Sequence, residues 1–175
     1  MVSLMAPVGS DTTRLILIQG NSGTGKSALA TAIRAARPRG VAVVGHDQLR
    51  REILHVRDHP GTLSVGYIDL SARYALEQGL HVVVEGILHN EIYGDMLCQL
   101  ITDHRGLSRS YRYEIAFEET LRRHATKARA AEFGEAEMSS WWRDADPLVG
   151  AAEATIGPES LLGDSTKRIL RDCGW

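Results

Sequence analysis

Cysteine is scarce in the 175-residue chain, which contains only Cys98 and Cys173. The two cysteines are far apart and belong to no CxxC or Cys/His pattern, so we predict neither a disulfide framework nor a zinc site. Long apolar runs are also lacking, and none approaches the ~18 residues that a membrane-spanning helix needs. The first residues do not have the pattern of a signal peptide. These absences together favour a cytoplasmic protein.

The chain also lacks an excess of charge of either sign. It has 20 basic and 22 acidic residues, a net charge of −2, which argues against an extended surface for nucleic acid or anionic membranes. Lysine is rare, and the first 126 residues contain only Lys26. The length and the 43% hydrophobic content correspond to one domain with a sizeable core. We expect residues 1–13, rich in small and turn-forming types, to be a mobile tail and residues 14–175 to be that domain.

Short apolar runs alternate with helix-like segments along the chain. Strands are predicted at residues 14–19, 41–44, 81–84 and 110–116, with a weaker one at 154–156. Helices are predicted at about 26–37, 48–55, 63–78 and 91–102, from residue 117 onward, around Trp141 and Trp142, and at 165–172. Strands separated by helices are typical of a parallel sheet covered on both faces, so the predicted class is α/β.

One motif carries specific chemistry. The first predicted strand runs directly into G-x-x-x-x-G-K-[ST], the phosphate-binding loop, which in turn opens a helix. Its glycines allow the backbone N–H groups to surround an anion, while the lysine reaches the outer phosphates and the serine hydroxyl ligates Mg²⁺. The predicted nucleotide-binding residues are Gly20, Asn21, Ser22, Gly23, Thr24, Gly25, Lys26 and Ser27.

The residues that follow the second and third strands are candidates for the acceptor and metal sites, because functional groups collect at the carboxyl ends of parallel strands. Asp47 can accept a hydroxyl proton, although the same residue type is also a common helix N-cap. Arg50 and Arg51 can hold the acceptor or a phosphate. The alternative is that they are solvated or salt-bridged arginines, which sequence does not distinguish. Glu85 resembles a carboxylate that supports Mg²⁺, and it could also contact the substrate.

A basic cluster follows the fourth predicted strand. It contains Arg122, Arg123 and Arg129, within a segment of about residues 122–138 that we predict to be a lid. Arginines on such a lid stabilise the phosphoryl group during transfer and help to exclude water. The alternative is a charged helical face with no role in catalysis. The sequence predicts Arg122 and Arg129 as catalytic and Arg122 and Arg123 as nucleotide-binding.

Four segments resemble a known group of enzymes: GNSGTGKS, VVGHDQLRR, VVVEGIL and IAFEETLRRHATKAR. They are similar to the P-loop kinases grouped around polynucleotide kinase, zeta toxin and chloramphenicol phosphotransferase, over roughly residues 14–172. The resemblance implies a five-stranded parallel sheet of order 2-3-1-4-5. It also implies that Asp47 binds or deprotonates the acceptor, that Arg50 supports the acceptor site and that the lid arginines contact nucleotide phosphates. The residues after Glu85 match no nucleobase-recognition signature of the group.

The predicted function is therefore that of a kinase which uses ATP and Mg²⁺ to phosphorylate a hydroxyl of a small molecule, such as a nucleoside, a sugar nucleotide or an antibiotic. One alternative is a 5′-hydroxyl polynucleotide kinase, although the near-neutral charge predicts only weak attraction to a phosphate backbone. Another is a regulatory module in which ATP drives a conformational switch without an acceptor. Sequence does not identify the acceptor, because variable loops form its site.

Overall fold

The computed structural model describes residues 6–37, 39–125, 134–144 and 146–175. Its strands are β1 (Arg14–Gln19), β2 (Val41–Gly45), β3 (His81–Gly86), β4 (Leu107–Tyr113) and β5 (Glu153–Ile156). The α-helices are α1 (Lys26–Ala36), α2 (Leu63–Glu77), α3 (Asn90–Asp103), α4 (Phe117–Ala125), α5 (Glu135–Trp141) and α6 (Leu162–Asp172). A π-helix spans Gln48–Ile53. None of the helices in these ranges is long and apolar enough to cross a membrane.

The strands form a parallel sheet of order β2-β3-β1-β4-β5. This confirms the α/β class and the strand order that the resemblance implies. β1 is central, so that its residue Ile18 pairs with Glu85 of β3 on one side and with Tyr111 of β4 on the other. The carboxyl ends of the strands therefore meet at one edge, where the predicted site residues follow them.

Both faces of the sheet are buried. Alternate residues of β1 point to opposite faces, and each set packs into a core of its own. Leu15 and Leu17 pack into a core with residues of α2 and α3. Ile16 and Ile18 pack into a second core with residues of α1 and α6. All four side chains are fully buried, which explains why β1 is a continuous apolar run rather than an alternating one.

The structure differs from the sequence prediction at β4, which lies three residues earlier than expected. Its pairing with β1 runs from Arg14 opposite Leu107 to Gln19 opposite Arg112, and β1 ends there because Gly20 turns the chain with φ of 146°. The next residues nevertheless remain beside β5, since Glu114 N donates to Ile156 O at 2.9 Å.

The segment after β2 also differs, being a π-helix rather than the predicted α-helix. Its wider turn is closed by a hydrogen bond from Leu54 N to Leu49 O, and His55, two residues after the helix, has a φ of 53°. Arg50, on this wide turn, reaches acidic residues both before and after the helix. π-helical turns are frequently found at functional sites.

Residues 8–13, which the sequence assigned to a mobile tail, pack against the domain in the structure. Val8 is 3% exposed and forms a parallel bridge with His104, while Thr13 Oγ1 lies 2.9 Å from His104 Nε2. The apolar Val8 side chain joins the core shared with α2 and α3. The packed unit therefore begins before residue 14.

Candidate active site

The predicted phosphate loop connects the end of β1 to the first turn of α1. It passes through two left-handed residues, Gly23 with φ of 81° and Gly25 with φ of 109°, a conformation that favours glycine. Lys26 is buried, and its Nζ donates a 2.7 Å hydrogen bond to the carbonyl oxygen of Asn21. The ammonium group is therefore held against the loop whose backbone would surround a phosphate.

Ser27 and Glu85, the predicted metal pair, are in contact. Ser27 Oγ donates a 3.1 Å hydrogen bond to Glu85 Oε1. Both residues line a cavity of about 520 Å³ that Lys26 also borders. A hydroxyl and a carboxylate are hard oxygen donors of the kind that Mg²⁺ prefers, together with phosphate oxygens and water. The two residues therefore fit a magnesium ion beside the phosphate loop.

Asp47 is the second residue after the end of β2 and lines the same cavity. Its Oδ1 is 3.3 Å from Arg50 Nη2, and its Oδ2 is 3.7 Å from Arg51 Nη1. Asp47 occupies the N-cap position of the π-helix, but within the described chain its side chain makes no capping hydrogen bond. The alternative interpretation of Asp47 as a helix cap thus lacks the hydrogen bond that defines a cap. The carboxylate is half-exposed to the cavity.

A buried polar network behind Asp47 was not found by sequence reasoning. His46 is 1% exposed, and its Nε2 lies 2.9 Å from Tyr93 Oη and 3.2 Å from Asp58 Oδ2. Tyr93 Oη also donates to Asp58 and lies 2.8 Å from Ser64 Oγ. Although burial alone would raise the pKa of Asp58, hydrogen bonds from His46 and Tyr93 and the nearby charge of Arg50 hold it below its ordinary value. Asp58 is therefore an ionised anchor for the residue preceding Asp47.

The two described arginines of the basic cluster lie in different environments. Arg123 Nη1 donates to Thr24 O in the phosphate loop at 3.3 Å, and its Nη2 donates to Pro158 O at 3.0 Å. Arg122 has a side chain that is 75% exposed and pairs with Glu119 at 2.7 Å. Both line a cavity of about 570 Å³ with the loop between β5 and α6. Only Arg123 thus contacts the phosphate loop directly.

The rest of the predicted lid is only partly described. Arg129 lies outside the described residues, so its predicted role stays a prediction. His124, which the sequence analysis did not select, is 6% exposed and lines the cavity that contains Lys26 and Ser27. His124 lies one helical turn after Thr120, on the inward face of α4. The spacing of polar and buried positions along this helix could have identified it from the sequence.

A second cavity, which we call the acceptor cavity, lies on the other side of Asp47. Its volume is about 690 Å³. The walls combine apolar surface from Ile87, Ile92 and Trp141 with charged groups that include Arg50 and Arg51. The structure thus brings Asp47, Arg50 and Arg51 together. Glu85 is not part of this lining but lies in the cavity with Lys26 and Ser27, which we call the phosphate cavity.

Asn21, predicted to bind nucleotide, connects the phosphate loop to the acceptor cavity through its side chain. Asn21 Nδ2 donates to Arg143 O at 2.7 Å, and Asn21 Oδ1 accepts from Arg143 N at 3.1 Å. The adjacent Trp142 ring stacks edge-on against Phe117 with centroids 5.0 Å apart. These contacts hold the segment after α5 against the phosphate loop.

The two cavities share Ser22, Asp47 and Ile87 as lining residues. Asp47 therefore lies at the boundary between the cavity lined by Lys26, Ser27 and Glu85 and a cavity large enough for a small organic molecule. A carboxylate at this boundary can accept a proton from a hydroxyl that approaches the phosphate cavity. Such an arrangement is suited to group transfer between two bound molecules.

No protein-family model matches the chain, and no curated protein matches it significantly. Solved structures do match it over nearly its whole length. The APS kinase CysC of Mycobacterium tuberculosis, in complex with AMPPNP and APS, has a TM-score of 0.65 and 17% identity, covering 94% of this chain and 97% of that one. A gluconokinase of Sinorhizobium meliloti 1021 has a TM-score of 0.66 and 18% identity, covering 97% and 93%.

The tunicamycin resistance protein of Deinococcus radiodurans is also similar, with a TM-score of 0.63, 13% identity and coverage of 93% of this chain and 96% of that one. These likenesses confirm the predicted fold, that of P-loop kinases. The names of these three proteins mention different molecules, so the fold alone does not identify an acceptor.

Proposed function

We propose that the protein is a kinase that transfers the γ-phosphoryl group of ATP to a hydroxyl of a small molecule. The observation that carries this proposal is the position of Asp47, which lines both the cavity containing Lys26 and Ser27 and the acceptor cavity. In the reaction the bond between the γ-phosphorus and its bridging oxygen breaks, and a bond from the acceptor oxygen to phosphorus forms. The products are ADP, a phosphate ester and a proton.

In this mechanism Lys26 leaves the carbonyl oxygen of Asn21 and pairs with the outer phosphates of ATP. Ser27 and Glu85 would hold Mg²⁺, which when bound would offset negative charge on the phosphates. Asp47 accepts the proton of the acceptor hydroxyl at a carboxylate oxygen. Arg123, held at Thr24 O, adds positive charge beside the phosphate loop.

Arg50 keeps Asp47 in position in this mechanism. Its guanidinium group lies between Asp47 and Asp58, at 3.3 Å and 3.5 Å, and its Nη1 donates to Val56 O at 3.2 Å. With Asp58 anchored by His46, Arg50 fixes the direction of the Asp47 carboxylate.

The test is labelled transfer from γ-³²P-ATP to a metabolite extract, followed by mass spectrometry of the labelled product. We expect Lys26→Ala to abolish both ATP binding and transfer. Asp47→Asn should keep ATP affinity within about twofold while lowering transfer at least ~10²-fold, the scale of a lost acid–base group. Asp95→Asn, an exposed aspartate on α3, is the matched control and should transfer at the rate of the unsubstituted protein.

Three outcomes would contradict the proposal. Unchanged transfer by Asp47→Asn would remove the base from the mechanism. Hydrolysis of ATP without a labelled product, unaffected by any fraction of the extract, would indicate a regulatory ATPase instead. Transfer to a 5′-hydroxyl oligonucleotide, in preference to the extract, would assign the acceptor to nucleic acid.

A further inference from the structure

The charges that line the acceptor cavity are unequal. Among the described residues, four arginines border it, against three carboxylates. The arginines are Arg50, Arg51, Arg57 and Arg143, and the carboxylates are Asp47, Asp58 and Glu91. His59 and His89 also border it. The described lining thus carries more cationic than anionic groups, and an excess of one sign of charge in a cavity favours a ligand of the opposite sign.

The inner carboxylates are already paired with protein groups. Asp58 is bound by His46, Tyr93 and Arg50. Asp47 lies between Arg50 and Arg51. Arg50 is paired with both carboxylates, so its positive charge is largely balanced. The inner part of the cavity is therefore close to neutral. The remaining positive charge belongs to the outer arginines.

Arg57 is the clearest of these outer arginines. Its side chain is exposed and makes no ion pair with any residue in the described ranges. Its backbone, by contrast, is fixed, because its carbonyl oxygen accepts a 3.0 Å hydrogen bond from Thr62 Oγ1, which contacts Ser64 of the buried network. The guanidinium group therefore extends into solvent from a backbone that is held in place. Arg57 and Arg51 also line the adjoining cavity of about 580 Å³.

Arg143 contributes charge from the segment after α5. Its backbone is held by Asn21, and its guanidinium lies 4.0 Å from Glu91, whose side chain is 69% exposed. An exposed pair at this distance contributes little, so a bound anion could replace Glu91 as the partner. Arg143 also acts on His89, because burial and the Arg143 charge both lower the pKa of the imidazole.

We propose that the acceptor carries an anionic group in addition to the hydroxyl that is phosphorylated, and that Arg57 and Arg143 bind this group. A phosphate, a sulfate or a carboxylate would fit, since arginine binds each through charge-assisted hydrogen bonds. The inference rests on the proposed function and narrows it, because it excludes uncharged nucleosides and uncharged antibiotics as acceptors. The apolar surface of Ile87, Ile92 and Trp141 in the same cavity would contact apolar parts of the acceptor.

The experiment separates the extract before the reaction. An anion-exchange resin at pH 7 divides it into an anionic fraction and a flow-through of neutral and cationic compounds, and each is incubated with γ-³²P-ATP and the full chain. We expect label only in products of the anionic fraction. Pretreatment of that fraction with a phosphatase, which is then removed, distinguishes the sources. Loss of labelling assigns a phosphate monoester, and retained labelling assigns a sulfate, a carboxylate or a phosphate diester.

Variants connect the anion to the named arginines. Arg57→Gln and Arg143→Gln should each raise the half-saturating concentration of the anionic fraction at least about tenfold, while the KM for ATP stays within twofold. Arg39→Gln is the matched control, because it removes the same charge from an exposed residue just before β2, at the opposite end of the sheet. Thermal unfolding of each variant verifies that it is folded.

Two results would overturn the inference while leaving the proposed function intact. One is labelling of products from the flow-through. The other is an Arg57→Gln/Arg143→Gln double variant that is half-saturated by the anionic fraction at the concentration found for the unsubstituted chain. A chain that binds ATP but labels neither fraction would instead refute the proposed function itself.

Discussion

Replacement of Gly86 by alanine tests the contact between the ends of β2 and β3 that positions Asp47. A Cβ atom at Gly86 would lie 2.4 Å from Cβ of His46 and 3.0 Å from its Cγ. His46 cannot simply rotate away, because the clash includes its Cβ and its ring is 1% exposed and bound to Tyr93 and Asp58. Either β3 or the residue before Asp47 must therefore move.

The expected cost of this substitution follows from measured overpacking of protein cores, about 1–3 kcal/mol. For a chain of this size, each kcal/mol lowers Tm by about 2–4 °C, so Gly86→Ala should lower it by about 2–12 °C. A displacement of about 1 Å at a reacting group can reduce a rate by up to ~10²-fold. We therefore expect phosphoryl transfer to fall at least about tenfold, with ATP affinity changed by less than threefold.

The assay combines thermal unfolding, labelled transfer and ATP binding on one preparation. Gly66→Ala is the control, since Gly66 lies inside α2 and a Cβ there meets nothing within 4 Å. This control should raise stability by about 0.5–1 kcal/mol through helix propensity and leave transfer unchanged. If Gly86→Ala melts at or above the temperature of the unsubstituted chain, the close packing of Gly86 against His46 is wrong, and with it the argument that this contact fixes Asp47.

Three further predictions concern other parts of the site and its support. Arg123→Ala should weaken ATP binding about tenfold in equilibrium dialysis, whereas Arg122→Ala, on the exposed side of the same helix, should change it less than twofold. Burial, with a contribution from nearby positive charge, lowers the pKa of His104 to about 4. The unfolded chain takes up this proton near pH 6.5, so the free energy of unfolding should fall by at most about 3 kcal/mol between pH 6.5 and pH 4. In urea unfolding, the His104→Asn variant should show a smaller fall over the same pH range. Asn21→Ala removes both hydrogen bonds to the Arg143 backbone, so it should raise the acceptor KM severalfold with ATP affinity within twofold, as measured by labelled transfer and dialysis.

Each of these predictions has a contrary result. Equal effects of the two α4 arginine substitutions would mean that the contact with Thr24 O does not serve nucleotide binding. An unchanged pH dependence in His104→Asn would assign the acid sensitivity to other groups. A loss of ATP affinity in Asn21→Ala, with the acceptor KM unaltered, would place the function of that side chain at the nucleotide instead.

The features whose positions in the fold could be predicted from sequence depend on neighbouring residues. The phosphate loop and the buried strand before it lie within 14 consecutive residues, from Arg14 to Ser27, so periodicity and motif are sufficient to identify them. Asp47 and Glu85 follow from the same logic, because each lies at the carboxyl end of a strand or directly after it. Their side chains reach the phosphate cavity as that rule requires.

The features that sequence missed depend on tertiary contacts. Tyr93, on α3, and Asp58, in the loop before α2, reach His46 only because both helices pack on the same face of the sheet. Likewise, Arg123 meets Pro158, which is 35 residues away, through the β5–α6 loop. No local pattern marks these partners, since each is an ordinary polar or turn residue in its own segment.

The central position of β1 has a consequence for how the protein folds. β1 pairs with β3 and with β4, so the strand that leads into the phosphate loop acquires its two neighbours only when residues 81–86 and 107–113 have been added. Parallel pairings over such sequence separations form slowly, because loop closure must precede them. A nascent chain that ends at Gly106 would contain the entire GNSGTGKS motif with one flank of β1 unpaired. ATP affinity should therefore appear late in folding, as a property of the completed sheet rather than of the motif.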